Sequence, residues 1–441
     1  MNPIISESAP SDAPEAIPVT IVGGGAAGLA TAIFVARFLA QREGLLSARP
    51  ESGARRRIVL LDGARTLGAK ILIAGGSRCN VTNAHVDAAD FWRSGASFVK
   101  QVLRAFSVAD TVAFFEEIGV ELKQEPLGKM FPTTNKSRTV LDALLREADR
   151  LGVEIKTSVR VRGLRRHSDA WVLETSEGEV ATKHVVLATG GLSLPKTGSD
   201  GVGYSLARAA GHSLVSTVPA LEPLILGGDF HAALSGISHD AAIRISRHGE
   251  KTVDIRGSLL WTHFGISGPL PLNASRFFRR ARSEGTGVSM TLSFVPDLDA
   301  DTVDAHFAAA AQDRPHHNVA TEVVRAFGLI QSVALRLATT ALGQDEPLSR
   351  LSKEKRRALV AGLTAFPLNV TDGRGYNFAE VTSGGVSIDE VNPKTMESRL
   401  VPGLYFVGEI LDVDGRIGGF NFQWAWSTAR VAGRAIARAS S

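Results

Sequence analysis

The sequence predicts an α/β protein in which a Rossmann-like domain is interrupted by an inserted domain of strands and helices. Three observations predict this fold class. A β-branched run at 18–23 leads into the glycine-rich turn Gly23–Gly28 and then into an Ala-rich stretch. A second β-branched run, 58–62, ends in an acid. Between residues 211 and 370 the pattern changes, and 441 residues are enough for two or three domains.

The first domain is predicted to comprise residues 18–210 and 371–441. The run at 18–23 is apolar without alternation, which is typical of a strand buried in a parallel sheet. An Ala-rich helix over about 26–41 follows it, and a polar segment, 43–57, precedes the second strand at 58–62. The later elements are helical periodicity at 97–118 and 137–151 and strand-like alternation at 153–164, 170–175 and 180–187.

The inserted domain, residues 211–370, is predicted to have a β portion over about 211–300 and a helical portion over about 301–370. Alternation of apolar and polar residues indicates half-buried antiparallel strands in the first portion. A period near 3.6 indicates helices in the second. The segments that carry these patterns are 241–247 and 288–295 for the strands, and 319–342 and 353–365 for the helices.

The composition excludes several kinds of protein. A single cysteine, Cys79, excludes an intrachain disulfide, a CxxC redox pair and a cysteine zinc site, and it fits a reducing, cytoplasmic location. Residues 1–17 contain Ser, Pro, Ala and acids but no Lys or Arg, which predicts a disordered tail and not a signal peptide. The apolar stretch 17–39 divides into strand, turn and helix, so we expect no membrane span. No His, Asp and Glu grouping has metal-ligand spacing, and nothing indicates an oligomeric state.

The turn at 23–28 has the GxGxxG pattern of dinucleotide-binding proteins. Gly23 allows the tight turn, Gly25 allows a pyrophosphate to approach the backbone, and Gly28 allows close packing of helix on strand. The amides of Ala26 and Ala27 open the helix, whose N-terminus favours phosphate. Further along, Asp62, followed by Gly63, ends the second strand, where an acid accepts the ribose hydroxyls. The alternative is a chance cluster of glycines in a loop.

A second glycine-rich segment lies near the other end of the sequence. It runs from Gly403 through Gly408-Glu409 and Asp414 to Gly418-Gly419 and Asn421. Two such segments so far apart indicate a flavoprotein that holds FAD between distant parts of its chain. The alternative for the second segment is a helix-terminating turn with solvated acids.

The last helix is predicted over about 420–437. Ala425, Ala429 and Gly433 recur at every fourth residue and give it one face of small side chains, which allows close approach to another element. Its N-terminus would stabilise negative charge on a reduced flavin. No second GxGxxG turn is present, so a protein with two nucleotide domains is not expected.

The segment Gly75-Gly76-Ser77-Arg78-Cys79-Asn80 has the residues for a close approach to a flavin. Its glycines let the backbone approach a planar ring, Arg78 can pair with an anion, and Asn80 can bond a flavin edge. Cys79 is a candidate proton donor, although a lone cysteine is usually a packed, inert side chain. Lys70, shortly before, either contacts FAD or is a solvated lysine.

Several segments together resemble one bacterial flavoprotein family, labelled BaiN-like or aminoacetone oxidase-like, which includes a 23S rRNA dihydrouridine synthase. The resemblance extends over residues 18–437. The matching segments are Gly68–Asn83, Ala188-Thr189-Gly190-Gly191-Leu192-Ser193, Thr262–Pro269, Val381–Val386, Met396-Glu397-Ser398 and the C-terminal glycine-rich segment.

The resemblance implies a glutathione-reductase-like FAD domain, an inserted module that is β-barrel-like and helical, and NAD(P)H as a transient electron donor. On this basis His263, within Thr262–Pro269, is a second candidate catalytic residue. The candidate FAD-binding residues are Gly23, Gly25, Ala26, Ala27, Gly28, Asp62, Gly63, Lys70, Gly76, Arg78, Cys79, Asn80, Thr189, Gly190, Gly191, Gly408, Glu409, Asp414, Gly418, Gly419 and Asn421.

The resemblance also implies reduction of an activated C=C bond. The substrate is either a small conjugated enone, such as a steroid or bile acid, or the uracil C5=C6 bond of 23S rRNA. In both, reduced flavin gives hydride to the carbon β to a carbonyl and an acid protonates the α carbon. A flavin-dependent amine oxidase that uses oxygen, and a non-catalytic FAD-binding or sensing protein, are the alternatives.

Three basic runs bear on the choice between RNA and a small molecule. With 49 basic and 45 acidic residues the net charge is +4, which suits either partner. The run that contains Phe277 and Phe278 combines cations with aromatic rings, as RNA contacts do, whereas the ordinary interpretation is solvated faces. The runs are Arg160/Arg162/Arg165/Arg166, Arg276/Arg279/Arg280/Arg282 and Lys353/Lys355/Arg356/Arg357.

Overall fold

A parallel sheet at the start of the chain confirms the α/β, Rossmann-like class predicted from the sequence. Ile17–Val22 pairs in parallel with Ile58–Leu61 on one side and with Gly178–Leu187 on the other. The β-branched runs are buried as predicted, since neighbouring parallel strands and helices cover both faces. The computed structural model describes residues 16–42, 58–92, 95–247 and 249–440.

The described residues divide into two compact units. The first unit contains residues 16–191, 196–216 and 384–440, and the second contains 192–195 and 217–383. The domain boundaries near 210 and 370 stay a prediction from the sequence. The predicted tail lies outside the described residues except at 16 and 17, and Ile17 begins the first strand. The polar segment 43–57 also lies outside them.

The described residues form twelve α-helices. In chain order they are α1 Ala26–Arg42, α2 Ala69–Ser77, α3 Ala96–Ala105, α4 Val108–Glu117, α5 Ser137–Arg150, α6 Val202–Ala209, α7 Pro269–Ser283, α8 Ala300–Asp313, α9 Val319–Phe327, α10 Gln331–Leu342, α11 Lys353–Thr364 and α12 Phe420–Ala439.

The described residues also form twenty-one strands. In chain order they are β1 Ile17–Val22, β2 Ile58–Leu61, β3 Thr82–Asn83, β4 Phe91–Trp92, β5 Leu122–Gln124, β6 Lys129–Pro132, β7 Glu154–Lys156, β8 Val161–His167, β9 Ala170–Thr175, β10 Gly178–Leu187, β11 Leu214–Ala220, β12 Leu224–Leu226, β13 Ser238–Arg247, β14 Val253–Thr262, β15 Gly265–Ser267, β16 Val288–Ser293, β17 Phe366–Pro367, β18 Val370–Gly373, β19 Val381–Val386, β20 Leu404–Phe406 and β21 Asp414–Gly415.

The main sheet of the first unit has the order β7-β2-β1-β10-β9-β8, and β20 also pairs with β10. The ladders from β7 to β10 and the β10–β20 pair are parallel, whereas β9 and β8 are antiparallel. Helix α1 begins directly after β1. The C-terminal β20 therefore completes a sheet whose other strands come from the first 187 residues.

The second unit contains a seven-stranded sheet in the order β17-β16-β13-β14-β15-β12-β18. Its paired strands are antiparallel. The two edge strands, β17 and β18, are separated by only residues 368 and 369, so the sheet must curl until its edges approach each other. This curling gives the unit its barrel-like character. Trp261, Leu292 and Phe307 lie in the core shared with the helices.

A buried carboxylate organises the helical part of the second unit. Glu322 has no exposed surface. It accepts hydrogen bonds from the guanidinium of Arg325, from Arg314 at 3.2 Å and, at 2.9 Å, from the imidazole of His306. The Arg325 hydrogen bond is the largest influence, and with those of Arg314 and His306 it lowers the pKa of Glu322 to about 2 although burial acts in the opposite direction.

Two predicted helices are each divided in the structure. The periodicity at 97–118 belongs to α3 and α4, because Ser107 starts a new helix by accepting from the amide of Asp110 while Asp110 accepts from the amide of Ser107. The periodicity at 319–342 belongs to α9 and α10, because Gly328 ends the first with a left-handed conformation. The helical character predicted for both segments is therefore confirmed, and each segment contains two helices.

Candidate functional site

Gly25 and Gly28 of the 23–28 turn have different environments in the structure. A Cβ on Gly28 would lie 1.8 Å from the carbonyl oxygen of Gly23, so only glycine lets α1 start this close to β1. A Cβ on Gly25 would meet no atom within 4 Å. The space over Gly25 is therefore open beside the first amides of α1, which have no acceptor within the helix. That is the arrangement required for a phosphate.

Asp62 lies at the end of β2 and is fixed by the glycine-rich turn. One carboxylate oxygen accepts from the amide of Gly24 at 2.6 Å, and the other accepts from the amide of Ala64 at 2.7 Å. Each oxygen keeps a further lone pair, so a ribose hydroxyl still has an acceptor. The role of Asp62 and of the exposed Gly63 in binding ribose stays a prediction.

Two distant parts of the predicted site are joined by buried side-chain hydrogen bonds. Asn83 donates to the carbonyl of Gly418 at 3.0 Å. Thr82 donates to the side-chain oxygen of Gln423 at 2.7 Å. The indole of Trp426 donates to the carbonyl of Val81 at 2.9 Å. The segment after Cys79 and the start of α12 are therefore held side by side.

A third segment, around Gly408, is attached to both α1 and α12. A Cβ on Gly408 would lie 2.8 Å from the Cβ of Ala27. The amide of Gly408 donates to the hydroxyl of Thr428 at 3.0 Å, and its carbonyl accepts from the indole of Trp424 at 3.2 Å. Asn421, in the first turn of α12, bonds both the amide and the carbonyl of Gly415, at 2.8 and 3.1 Å. The C-terminal glycine-rich segment therefore lies against the start of the dinucleotide turn.

The small face predicted on the last helix packs closely on α1. A Cβ on Gly433 would lie 2.7 Å from the Cβ of Phe34 and 3.0 Å from the amide nitrogen of Val35. The prediction of a close approach by this face is confirmed. Helix α12 thus packs along α1, while its own N-terminus lies beside Thr82 and Asn83.

Two cations of the predicted site pair with carboxylates. Lys70 contacts Glu409 at 2.8 Å, which joins α2 to the segment around Gly408. Arg78 contacts both carboxylate oxygens of Glu125, at 2.8 and 3.1 Å, and its guanidinium lies 4.0 Å from the centre of the Phe131 ring. Asn80 accepts from the backbone of Met130, at 3.2 Å. These pairings fix the side chains, and their contacts with a cofactor stay predictions.

Cys79 is the only cysteine and is completely buried. Burial raises the pKa of its thiol to about 12. The thiol has no exposed surface, so neither water nor a substrate at the protein surface reaches it. The geometry therefore favours the packed, inert interpretation over the catalytic one.

Thr189 carries a buried hydroxyl that has no hydrogen-bond partner among the described residues. It precedes Gly190, whose φ is 71°, and Gly191 at the end of β10. Buried hydroxyls are normally bonded, so an acceptor from a bound group would satisfy this one. Asp414 is also fully buried, within the short β21–β4 pair.

These observations fit FAD. The open space over Gly25 and the amides of α1 suit a pyrophosphate, and the hydroxyl of Thr189 offers a hydrogen bond that no described residue uses. The first amides of α12, from Phe420, have no acceptor within the helix and can face a flavin that carries negative charge. Gly76 is exposed, and a Cβ on it would meet no atom within 4 Å.

His263 lies in the second unit, exposed at the end of the β14–β15 hairpin. Its ring contacts Phe264 edge to face, with the ring centres 5.1 Å apart. The structure therefore assigns the two candidate catalytic residues to different units.

The basic runs are mostly paired with acids or buried. Arg276 is only 4% exposed, and Arg279 pairs with both Glu222 and Asp372. These two cations are therefore not available to an RNA surface, whereas Arg282 of the same run is exposed, and RNA contact by this run stays a prediction. In the other runs Arg160 pairs with Asp200, Arg165 with Glu179, Lys355 with Glu346 and Arg356 with Asp304.

Within the described ranges, no helix has the length and apolar character that crossing a membrane requires. Over the same ranges, no group of three or more His, Cys, Asp or Glu side chains is arranged to hold a metal ion.

Sequence reasoning missed the residues that join the segments of the site. Thr82, Gln423, Trp424 and Thr428 are buried and make the connecting bonds. Their signal in the sequence is position, since each follows a glycine pair on the segment that leaves the turn. The partner of Thr82 is 341 positions away, and Trp424 and Thr428 bond Gly408 from 16 and 20 positions further along, so the sequence did not reveal the pairs.

Comparison with known proteins identifies relatives along nearly the whole chain. The model of the family described as HI0933-like protein Rossmann domain matches residues 17–435. A 3-dehydro-bile acid delta(4,6)-reductase from Clostridium scindens is 32% identical over 95% of this chain and 98% of its own. A ribosomal RNA dihydrouridine synthase from Escherichia coli is 31% identical over 96% of this chain and 98% of its own. One of the same name from Haemophilus influenzae is 31% identical over 95% and 98%.

Proposed function

The chain belongs to the HI0933-like family, and from that premise we propose that it is an FAD-dependent oxidoreductase that reduces an activated C=C bond. One observation carries the proposal. The segments around Asn83 and Gly408 are hydrogen-bonded to the C-terminal segment, and Gly408 packs against Ala27 at the start of α1, so two helices begin at one site. Two of the relatives are named for reactions on C=C bonds, one in a bile acid and one in uridine of ribosomal RNA.

The chain's own residues bind and orient the cofactor. The amides of Ala26 and Ala27 would hold the pyrophosphate, and Asp62 and Thr189 would hold the ribose and the polar linker. The N-terminus of α12 would stabilise negative charge on the ring, which would favour acceptance of electrons. When bound, FAD supplies a two-electron carrier that gives hydride to the carbon β to a carbonyl.

The second hydrogen arrives as a proton on the α carbon. Addition of one hydride and one proton to the C=C bond balances the reaction, with NAD(P)H as the external reductant. His263 is our candidate donor, because its imidazole is exposed and can be reprotonated from water. Cys79 is not proposed, since its buried thiol has no route to solvent.

The substrate is a conjugated carbonyl compound, either a small enone or a uracil ring. Both present the same polarised C=C bond, so one site chemistry serves either. We also propose a cytoplasmic location, which the single buried cysteine supports.

An anaerobic half-reaction experiment tests the proposal. The holoenzyme is mixed with NADH or NADPH, and the flavin absorbance is followed until it bleaches. A conjugated enone or a uridine-containing RNA is then added, and we expect the flavin to reoxidise with loss of the substrate C=C bond by mass spectrometry. Flavin that NAD(P)H never reduces, or that only oxygen reoxidises after reduction by an amine, would refute the proposal and favour an amine oxidase.

A further inference from the structure

A short loop of the second unit, residues 374–378, is anchored to the interior of that unit by a buried ion pair. Glu222 has no exposed surface and pairs with Arg279. The same carboxylate accepts from the amide of Gly375. Arg279 also contacts Asp372 at 2.6 Å, at the end of β18. The loop is therefore fixed at its start by charge-assisted bonds in the interior of its own unit.

The side chains on this loop form a stack with the β14–β15 hairpin. The guanidinium of Arg374 lies 3.5 Å from the ring centre of Phe378 and 4.7 Å from that of Phe264. His263 meets Phe264 edge to face. We call these four residues, His263, Phe264, Arg374 and Phe378, the aromatic strip.

The aromatic strip is open to solvent. Phe378 is 46% exposed, and Arg374 and His263 are exposed as well. Large apolar side chains that remain this exposed beside other rings mark an interaction surface more often than a chance position. The support from Glu222 is what a binding surface needs, because it keeps the exposed groups in place without a ligand.

The charge of Arg374 is not neutralised within the protein. Across the described ranges, no carboxylate forms an ion pair with its guanidinium, in contrast with Arg279 of α7, which has two. The flat faces of Arg374 contact rings, and its N–H groups are left for an anion. A phosphate is the anion that a guanidinium binds best in a bidentate manner.

We propose that the aromatic strip binds a single-stranded segment of RNA, with bases stacked on Phe378 and Phe264 and a phosphate on Arg374. The inference rests on the proposed function, for which it selects a uracil ring within RNA as the substrate. Single-stranded RNA is recognised by aromatic rings and guanidinium planes next to cations that follow the backbone. The aromatic strip supplies the rings of Phe264 and Phe378 and, between them, the guanidinium of Arg374, whose charge has no carboxylate partner among the described residues.

The exposure of the strip favours a strand over a small molecule. Small ligands bind in concave pockets that bury most of their surface, whereas Phe378 keeps almost half of its surface in water. A strand can lie along such a surface and cover several rings at once. In the basic runs identified in the sequence, Arg160, Arg279 and Lys355 are paired with acids and Arg276 is buried, whereas Arg162 and Arg357 are exposed.

Binding of a short, fluorescein-labelled oligouridylate by the FAD-loaded protein tests the inference. Wild type, Arg374→Ala and Phe378→Ala are compared by fluorescence anisotropy at low and at physiological salt. We expect each variant to weaken binding about tenfold and Arg374→Ala also to reduce the salt dependence. Arg244→Ala removes an exposed cation of the same unit, and Leu335→Ala removes a leucine that is 45% exposed, so both should bind like wild type.

Equal affinity of wild type and both strip variants, or no binding by wild type, would overturn the inference. Variants that raise the KM for a small enone while wild type binds no RNA would assign the strip to a small-molecule substrate, which also overturns it. The anaerobic half-reaction separates the two proposals. RNA binding that depends on the strip, without any reduction of a C=C bond, would remove the proposed function and leave the strip as an RNA surface.

Discussion

The side-chain amide of Asn83 donates a hydrogen bond to the backbone carbonyl of Gly418, across 335 positions of the sequence. The same amide donates to the carbonyl of Leu127 at 3.0 Å, and its oxygen accepts from the amide of His85 at 3.2 Å. Asn83 is only 5% exposed. Its side chain is thus fully used in joining three backbone segments, a role that does not require contact with a cofactor.

Replacement of Asn83 by alanine should destabilise the first unit. The change leaves the buried carbonyl of Gly418 without its donor, which costs about 1–3 kcal/mol in the free energy of unfolding. Urea unfolding of the apoprotein measures it. Gln124→Ala, an exposed change on β5, is the control and should cost less than about 0.5 kcal/mol. An Asn83→Ala protein as stable as this control would show that the bond contributes nothing.

Alanine at Gly25 and at Gly28 should have different effects. A Cβ at 25 enters the open space over the turn, so Gly25→Ala should keep the melting temperature of the apoprotein and lose most of its affinity for FAD. A Cβ at 28 collides with the carbonyl of Gly23, so Gly28→Ala should lower both. Thermal unfolding of the apoprotein and titration with FAD measure the two quantities. Tight FAD binding by Gly25→Ala would place the pyrophosphate elsewhere.

Glu322→Gln should destabilise the second unit in a pH-dependent manner. Hydrogen bonds from Arg325, Arg314 and His306 lower the pKa of this carboxyl to about 2. The carboxylate therefore contributes its full stability above the ordinary value of about 4.5, and this contribution is lost as the pH falls towards 2. We expect a loss of about 3 kcal/mol at neutral pH, since two arginines lose their buried partner.

Denaturant unfolding between pH 3 and 7 checks this linkage. The difference between wild type and Glu322→Gln should shrink below about pH 4.5. Glu354→Gln, at an exposed position in the first turn of α11, is the matched control and should show a small difference. A difference for Glu322→Gln that is constant over this range would mean that the carboxyl titrates normally.

Cys79 should resist alkylation in the folded protein. Its thiol is fully buried and its pKa is raised to about 12, so almost no thiolate is present or accessible at neutral pH. Iodoacetamide labelling followed by mass spectrometry measures the rate. A Ser77→Cys, Cys79→Ala double variant moves the single thiol two positions to an exposed residue and should react rapidly. Fast labelling of native wild type would restore Cys79 as a candidate for chemistry.

The sequence predicted the parts of the fold that depend on local pattern. The β1-turn-α1 unit, the buried β2 and the small face of α12 were predictable because each follows from neighbouring residues. The break at Ser107 was readable as well, since Asp110 stands three residues later, but strong periodicity on both sides concealed it. Helix α8 lies within the predicted helical portion, but its bounds were not predicted because small, polar and charged residues along it weaken the apolar stripe.

The site was predictable in position and less so in the role of each residue. Asn80 and Arg78 read as groups for a ligand, yet the structure uses them on Met130 and Glu125. Whether a polar side chain is already engaged depends on segments that are distant in sequence. The aromatic strip was not predicted for the same reason, since Phe264 and Phe378 are far apart in the sequence. They come near each other because β15 and β18, which lie next to them along the chain, both pair with β12.

The bonds from Val81, Thr82 and Asn83 to α12 also set an order of events during synthesis. Their partners are translated 335 to 345 positions later. The segment 217–383, by contrast, is nearly all of the second unit and leaves the ribosome as one block. That unit can fold while the cofactor domain still lacks β20 and α12. A nascent chain therefore exposes the unfinished face of α1, including Phe34, until the last helix emerges, and this interval is when a chaperone has the most apolar surface to bind.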